Sequence, residues 1–246
     1  RLGGLKVTLD GSPQGRTAWR TAPYLIPPDG QQPGYKGYPA IPDTKQVEAY
    51  LDEAYGKDWP VKVHTNGDAA IDQLFQALKP VVAKHGVKPG HVILVHGQFI
   101  RPDQVKELNS LGIFPSLFPM HTFYWGDWYK QIVGPEQAAL ISPMRSILNT
   151  GLHATSHTDA PVALPNLMQV VWATVNRTSR SATVVGPDER VTPYEAMKMI
   201  TLWGAEQFGE QANKGSIKEG KIADLVVLSD NPLTVDPAKI NQIQVQ

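Results

Sequence analysis

Val61-Lys-Val-His-Thr-Asn-Gly-Asp-Ala-Ala-Ile-Asp72 passes from a short apolar run, through a histidine and a polar turn, into residues at helical spacing. The helical part extends over Asp68 to Leu78, with Ala69, Leu74 and Leu78 on the apolar stripe. The same grammar recurs along the chain. Leu5 to Leu9 precedes Asp10-Gly11-Ser12, and Val92 to Val95 precedes His96. Ile113 to Phe118 runs into Pro119-Met120-His121, and Leu152 to Thr155 into Ser156-His157-Thr158-Asp159. Near-continuous apolar runs of about 4 to 6 residues are what parallel strands covered on both faces look like, and parallel strands need crossovers. The intervening segments supply them: Val47 to Tyr55, Pro102 to Leu111 and Pro193 to Phe208 read as helices, the last introduced by Thr192 as a cap. Pro23 to Pro42 reads as an irregular loop, and Gly215 to Gly220 as a turn into an apolar strand over Ala223 to Leu228. The class is α/β.

Composition narrows the function. The chain has 246 residues, with 23 Lys+Arg against 23 Asp+Glu, so there is no surplus of positive charge to neutralise phosphates. This argues against a nucleic-acid partner. No apolar run approaches the ~20 residues of a membrane span. With no cysteine, a disulfide framework, a zinc knuckle and a thiol nucleophile are excluded, and any metal must be held by His, Asp, Glu or Lys. The absence of cysteine fits reducing and oxidising compartments alike. The first residue is Arg1 and the first methionine Met120, so an upstream segment is expected to be missing.

Repeated strand and helix units put functional groups at the carboxyl ends of the strands. His64, His96 and Asp159 stand there, and Lys6 lies within the first run. No glycine-rich nucleotide fingerprint follows any strand, so a nucleotide reading fails. Each candidate also has a plainer reading: a lone histidine is more often hydrogen-bonded structure, a lysine between apolar neighbours snorkels out, Asp159 caps a turn, and Asp10-Gly11 is a turn signal. Two histidines at corresponding ends of successive strands raise the odds of a metal, since imidazole suits zinc and similar ions.

At these residues the chain resembles the YtcJ-like group of the amidohydrolase superfamily. The likeness is carried by Gly4-Leu-Lys-Val-Thr-Leu-Asp-Gly-Ser12 with Arg16-Thr-Ala18, then Val63 to Asp72, Val95-His-Gly-Gln98, Pro119-Met-His121 and His157-Thr-Asp-Ala-Pro-Val162. Asn176-Arg177, Thr178-Ser-Arg180, Gly215 to Asp224 and Asn231-Pro232 extend it. The resemblance implies a (β/α)8 barrel, a TIM-barrel metal-dependent hydrolase, of which strands four to eight are present. It implies a partial barrel over residues 1–212 and part of a small β-sandwich over 213–246. It implies one or two divalent ions, zinc first, with His64, His96 and Asp159 as ligands and Lys6 as a bridging lysine carboxylated by carbon dioxide. His121 and Arg177 would face the substrate, with Trp125, Asp127 and Trp128 on a mobile loop.

The implied activity is hydrolysis of a non-peptide C–N bond, amide or N-acyl, in a small-molecule substrate, with Asp159 as general acid/base. One departure stands out. The family's first strand ends in His-x-His, and the seven histidines here, at 64, 85, 91, 96, 121, 153 and 157, contain no such pair. Two alternatives stay open: a non-catalytic barrel portion serving as scaffold or ligand-binding module, and a mononuclear deaminase with an unmodified Lys6. Substrate, oligomeric state and compartment are not legible.

Overall fold

The computed structural model describes residues 3–246. Strands β1 (Leu5–Thr8), β2 (Val61–Thr65), β3 (Val92–His96), β4 (Ile113–Leu117) and β5 (Thr155–Ser156) lie side by side in chain order, every pair parallel. Each expected run contributes one strand, although the last is only two residues long and begins where the expected one ends. Helices α1 (Thr44–Gly56), α2 (Asp68–His85) and α3 (Pro102–Leu108) fill the first crossovers. The fourth holds α4 (Met120–Ile132), α5 (Pro135–Ala139) and α6 (Met144–Leu148), and α7 (Leu167–Asn176), α8 (Pro193–Met199) and α9 (Leu202–Gln207) follow β5.

Alternation along the strands sorts the two faces. Val7, Val61, Val63, Val92, Leu94, Ile113 and Leu117 are buried with Leu51, Ile71, Leu74, Leu78 and Leu108 in one core between sheet and helices. The other face carries two cross-strand rows. Lys6, Lys62, Ile93 and Phe114 form one, and Thr8, His64, Val95, Ser116 and Thr155 the next. Lys6 and Thr8 are exposed and Lys62, His64 and Val95 half-buried, so this face is open on the β1 side. A cleft of about 960 Å³ opens at the amino ends of the strands, beside Pro60, His91, Gly112 and Phe208, away from the strand ends that carry the candidate residues.

Three expectations need correction. The helix over Pro193 to Phe208 is two helices, because Thr201 leaves helical geometry (φ −128°, ψ −92°) while its hydroxyl donates to the Met197 carbonyl. A threonine that satisfies a backbone carbonyl with its own side chain competes with the helix ladder. Among the described residues the apolar strand over Ala223 to Leu228 is not built: Leu228 forms a single antiparallel bridge to Val245, and Leu225, Val226 and Val227 are exposed. Lastly, Trp125, Asp127 and Trp128 lie on a helix, α4, rather than a loop.

Near the carboxyl terminus, a 3-10 turn over Pro237–Gln242 packs on α7. Trp172 Nε1 donates to Ala238 O at 3.0 Å, and Asn176 Nδ2 to Pro237 O at 2.9 Å. Ile240 and Ile243 enter the main core. Among the described residues no helix is long and apolar enough to cross a membrane.

Candidate functional site

The carboxyl end of β2 brings His64 onto the open face, in the same register row as Thr8 and one step beyond Lys6. His96, paired with Thr65, should by alternation point to the helix side. It does not, because β3 ends there with φ at +80°. Left-handed backbone at a non-glycine residue costs on the order of 1–3 kcal/mol and collects at functional sites. The His96 ring stands edge to face with His64, centroids 4.5 Å apart, and 4.9 Å from the His157 ring. Phe118 stacks on His157 at 5.1 Å and meets His121 edge to face at 4.7 Å. His121 in turn contacts Trp125 at 4.7 Å and stacks on Tyr129 at 5.8 Å.

These rings form a continuous ribbon across the ends of β2 to β5, and several polar atoms in it are unpaired. His64 Nδ1, His96 Nδ1 and His157 Nε2 are buried with no hydrogen-bond partner among the described residues. His64 Nδ1 lies 3.4 Å from Asp10 Oδ1 without forming an aligned hydrogen bond, and its Nε2 is 3.4 Å from Asn66 Nδ2. Burial, followed by the neighbouring His157, His64, His121 and Lys6, drives His96 far below the usual imidazole range. His157 is held to about 4 by burial, then by Lys6 and His64. Both rings are therefore neutral near pH 7, with lone pairs available. Lys6 is pushed below the ordinary lysine value by desolvation, with the Asp159 carboxylate opposing that shift. Asp159 itself is exposed, in left-handed backbone at φ +51°.

An unpaired buried nitrogen costs about 1–3 kcal/mol. Neutral imidazoles with unused lone pairs have the donor chemistry of a divalent-ion site. The set is partial: among the described residues no three His, Asp or Glu side chains are grouped closely enough to hold an ion.

Other predicted residues lie elsewhere. Arg177, expected at the substrate, is 1% exposed and caps α7 in left-handed backbone. Its guanidinium donates to Val185 O (2.7 Å), Ile141 O (2.7 Å), Ser142 O (3.0 Å) and Ala139 O (3.3 Å), so its donors tie chain segments together rather than face a ligand. Asp127 accepts from Ser179 Oγ at 2.9 Å and Ser181 Oγ at 2.8 Å, bracing the turn after α7.

In the sequence Asp10 reads only as part of a turn. Its buried carboxylate accepts from three main-chain amides, Asn66 N (2.9 Å), Gly67 N (2.7 Å) and Trp19 N (3.0 Å), and so fixes the end of β1 to the start of α2. Gln98 donates to Phe118 O at 3.0 Å and accepts from Ser142 Oγ at 2.7 Å, holding the ends of β3 and β4 together.

The amidohydrolase family model matches residues 1–246. The chain belongs to the amidohydrolase family. It is 29% identical over 184 residues to an N-substituted formamide deformylase of Arthrobacter pascens, a match covering 74% of this chain and 34% of that protein. It is 26% identical over 253 residues to the putative amidohydrolase YtcJ of Bacillus subtilis, covering 100% of this chain and 45% of that one. The chain thus spans less than half the length of either amidohydrolase relative. Among solved structures, an uncharacterized metal-dependent hydrolase from Pyrococcus furiosus superposes with a TM-score of 0.78 at 25% identity, over 95% of this chain and 45% of that one. One from Pyrococcus horikoshii gives 0.79 at 22% identity, over 96% and 46%.

Proposed function

We propose that this chain forms one wall of a metal-dependent amidohydrolase site that hydrolyses a non-peptide C–N bond, amide or N-acyl, in a small organic substrate. The observation that carries the reading is the pair of buried ring nitrogens, His64 Nδ1 and His96 Nδ1, without hydrogen-bond partners among the described residues, on rings that stand edge to face with centroids 4.5 Å apart. These two histidines, Asp159 and a carboxylated Lys6 are the proposed holders of a divalent ion, zinc first. The five strands then correspond to the fourth to eighth of a (β/α)8 barrel, with residues 213–246 belonging to a small sandwich. A complete cage needs donors beyond these five strands.

When bound, such an ion polarises the scissile carbonyl and lowers the pKa of water. The rest falls to the chain's own residues. Asp159, exposed beyond β5, takes the proton from the attacking water and returns it to the leaving nitrogen, which departs as a neutral amine. The aromatic ribbon from Phe118 to Trp125 excludes water on one side, with His121 facing the substrate. Trp125 and Asp127 lie farther along the same helix. The formamide deformylase relative makes N-substituted formamides the first substrates to try.

The test is zinc content per chain together with hydrolysis of an N-substituted formamide panel, both measured with the donors beyond these five strands in place. Stoichiometric zinc that is lost in His64→Ala, and turnover that collapses in Asp159→Asn while substrate binding persists, are the expected results. A second reading, a non-catalytic scaffold, is favoured by the lack of a closed three-residue set among the described residues. A folded chain that takes up no zinc and hydrolyses nothing would establish it instead.

A further inference from the structure

His121 sits at the start of α4 and Tyr129 two turns later, both within the ribbon of rings. Tyr129 is fully buried, packed edge to face on Phe99 at 5.8 Å and nearly parallel to His121, with an interplanar angle of 14°. Its hydroxyl is hydrogen-bonded to His121 Nδ1. That contact fixes a direction. Among the described residues no main-chain or side-chain acceptor other than His121 Nδ1 receives the Tyr129 hydroxyl, and a buried O–H without an acceptor is costly. The proton therefore points from Tyr129 to Nδ1, which accepts it with its lone pair. Burial also pushes the phenol well above its ordinary value, so it keeps that proton. Burial holds His121 well below the usual imidazole range, with His157 adding to the effect. A neutral ring that accepts at Nδ1 must carry its hydrogen on Nε2.

The second nitrogen is free to act. Among the described residues Nε2 makes no hydrogen bond, and it is not one of the sealed unpaired atoms, so it keeps part of the small accessible surface of a residue that is 3% exposed. His121 meets Phe118 edge to face, and Phe118 stacks on His157 beside His96. We propose that Tyr129 is a positioning residue that locks His121 in the Nε2–H tautomer, presenting a neutral hydrogen-bond donor from the ribbon of rings toward the substrate. What the donor meets rests on the amidohydrolase reading, in which a substrate carbonyl gains negative charge during attack. The lock itself does not depend on that reading.

The tautomer is read directly by nitrogen-15 NMR of the labelled full chain near neutral pH, with the His121 signals assigned by their loss in His121→Gln. The expected pattern is a protonated Nε2 and an unprotonated Nδ1, giving way in Tyr129→Phe to a mixture that includes Nδ1–H. A protonated Nδ1 in the wild-type chain, or an unchanged tautomer in Tyr129→Phe, overturns the proposal. Should Tyr129→Phe fail to fold, the wild-type spectrum still decides. In a chain that hydrolyses an N-substituted formamide, Tyr129→Phe lowers kcat roughly tenfold or more with KM little changed. In a chain that hydrolyses none, the formamide assignment fails while the tautomer measurement still tests the lock.

Discussion

The Asp10 carboxylate accepts the Gly67 amide at 2.7 Å, joining the second residue beyond β1 to the residue that caps α2. The same carboxylate takes the amides of Asn66 and Trp19, so three strand-end and loop segments meet at one buried side chain. His64 stands beside this junction, which makes Asp10 the support for one half of the candidate histidine pair.

Replacing Asp10 with alanine strands buried amides, each costing about 1–3 kcal/mol. We expect Asp10→Ala to lose at least about 3 kcal/mol in urea unfolding. Asp10→Asn should fall between it and the wild type, since one amide oxygen still accepts. A wild-type midpoint for Asp10→Ala would overturn this account of the junction.

Gly67 is set by space rather than by backbone angle. An added Cβ would lie 1.8 Å from the Trp19 carbonyl oxygen and 2.4 Å from its carbon, both main-chain atoms that cannot swing away. Gly67→Ala should therefore destabilise by more than the usual 1–3 kcal/mol or so of overpacking. It should also lower zinc uptake by displacing His64; a variant with wild-type stability would show that the Trp19 segment yields freely.

Arg177 is a clamp. Burial lowers its pKa to about 10, still well above neutrality, so a full charge is solvated by carbonyl dipoles with Glu189 assisting from nearby. Lysine offers three donors from one point and cannot span the four carbonyls that the planar guanidinium reaches. Arg177→Lys should cost roughly 3 kcal/mol or more in thermal or urea unfolding. Unfolding at the wild-type midpoint would return Arg177 to consideration as a substrate-facing residue.

The strand-end grammar was legible because parallel strands are short apolar runs whose functional residues follow at once, as at Val63-His64 and Val95-His96. What the sequence hid were contacts made at long separation. Asp10 reads locally as a turn, and only the fold brings it to Asn66 and Gly67. Arg177 lies in a segment shared with the family, but nothing local says that its donors turn toward Ile141 and Ser142. Nor does strand parity place His96, which alternation alone would bury on the helix side and which only the left-handed backbone at φ +80° turns toward His64. The strand over Ala223 to Leu228 has strand composition but finds only one bridge, to Val245. Residue propensity cannot supply a missing partner.

The Arg145 and Glu195 pair predicts a pH dependence of stability whose sign can be worked out. Arg145 NH1 and NH2 reach the two carboxylate oxygens at 2.9 and 2.5 Å, and Glu195 also completes the cap of α8 with Thr192. The arginine hydrogen bonds come first in holding Glu195 down to about 2, against an unfolded value of about 4.3. A depressed folded value means that the unfolded chain binds the proton more readily, so the contribution is present above about pH 4.3 and drains away toward about pH 2. Both side chains are partly exposed, which limits the contribution to about 1 kcal/mol. Glu195→Gln is the suitable variant, because glutamine at this position keeps the reciprocal cap while removing the charge. Its deficit relative to wild type in urea unfolding should be largest near pH 6 and shrink by about pH 3. A deficit that stays constant across that range would assign the loss to geometry rather than to the ion pair.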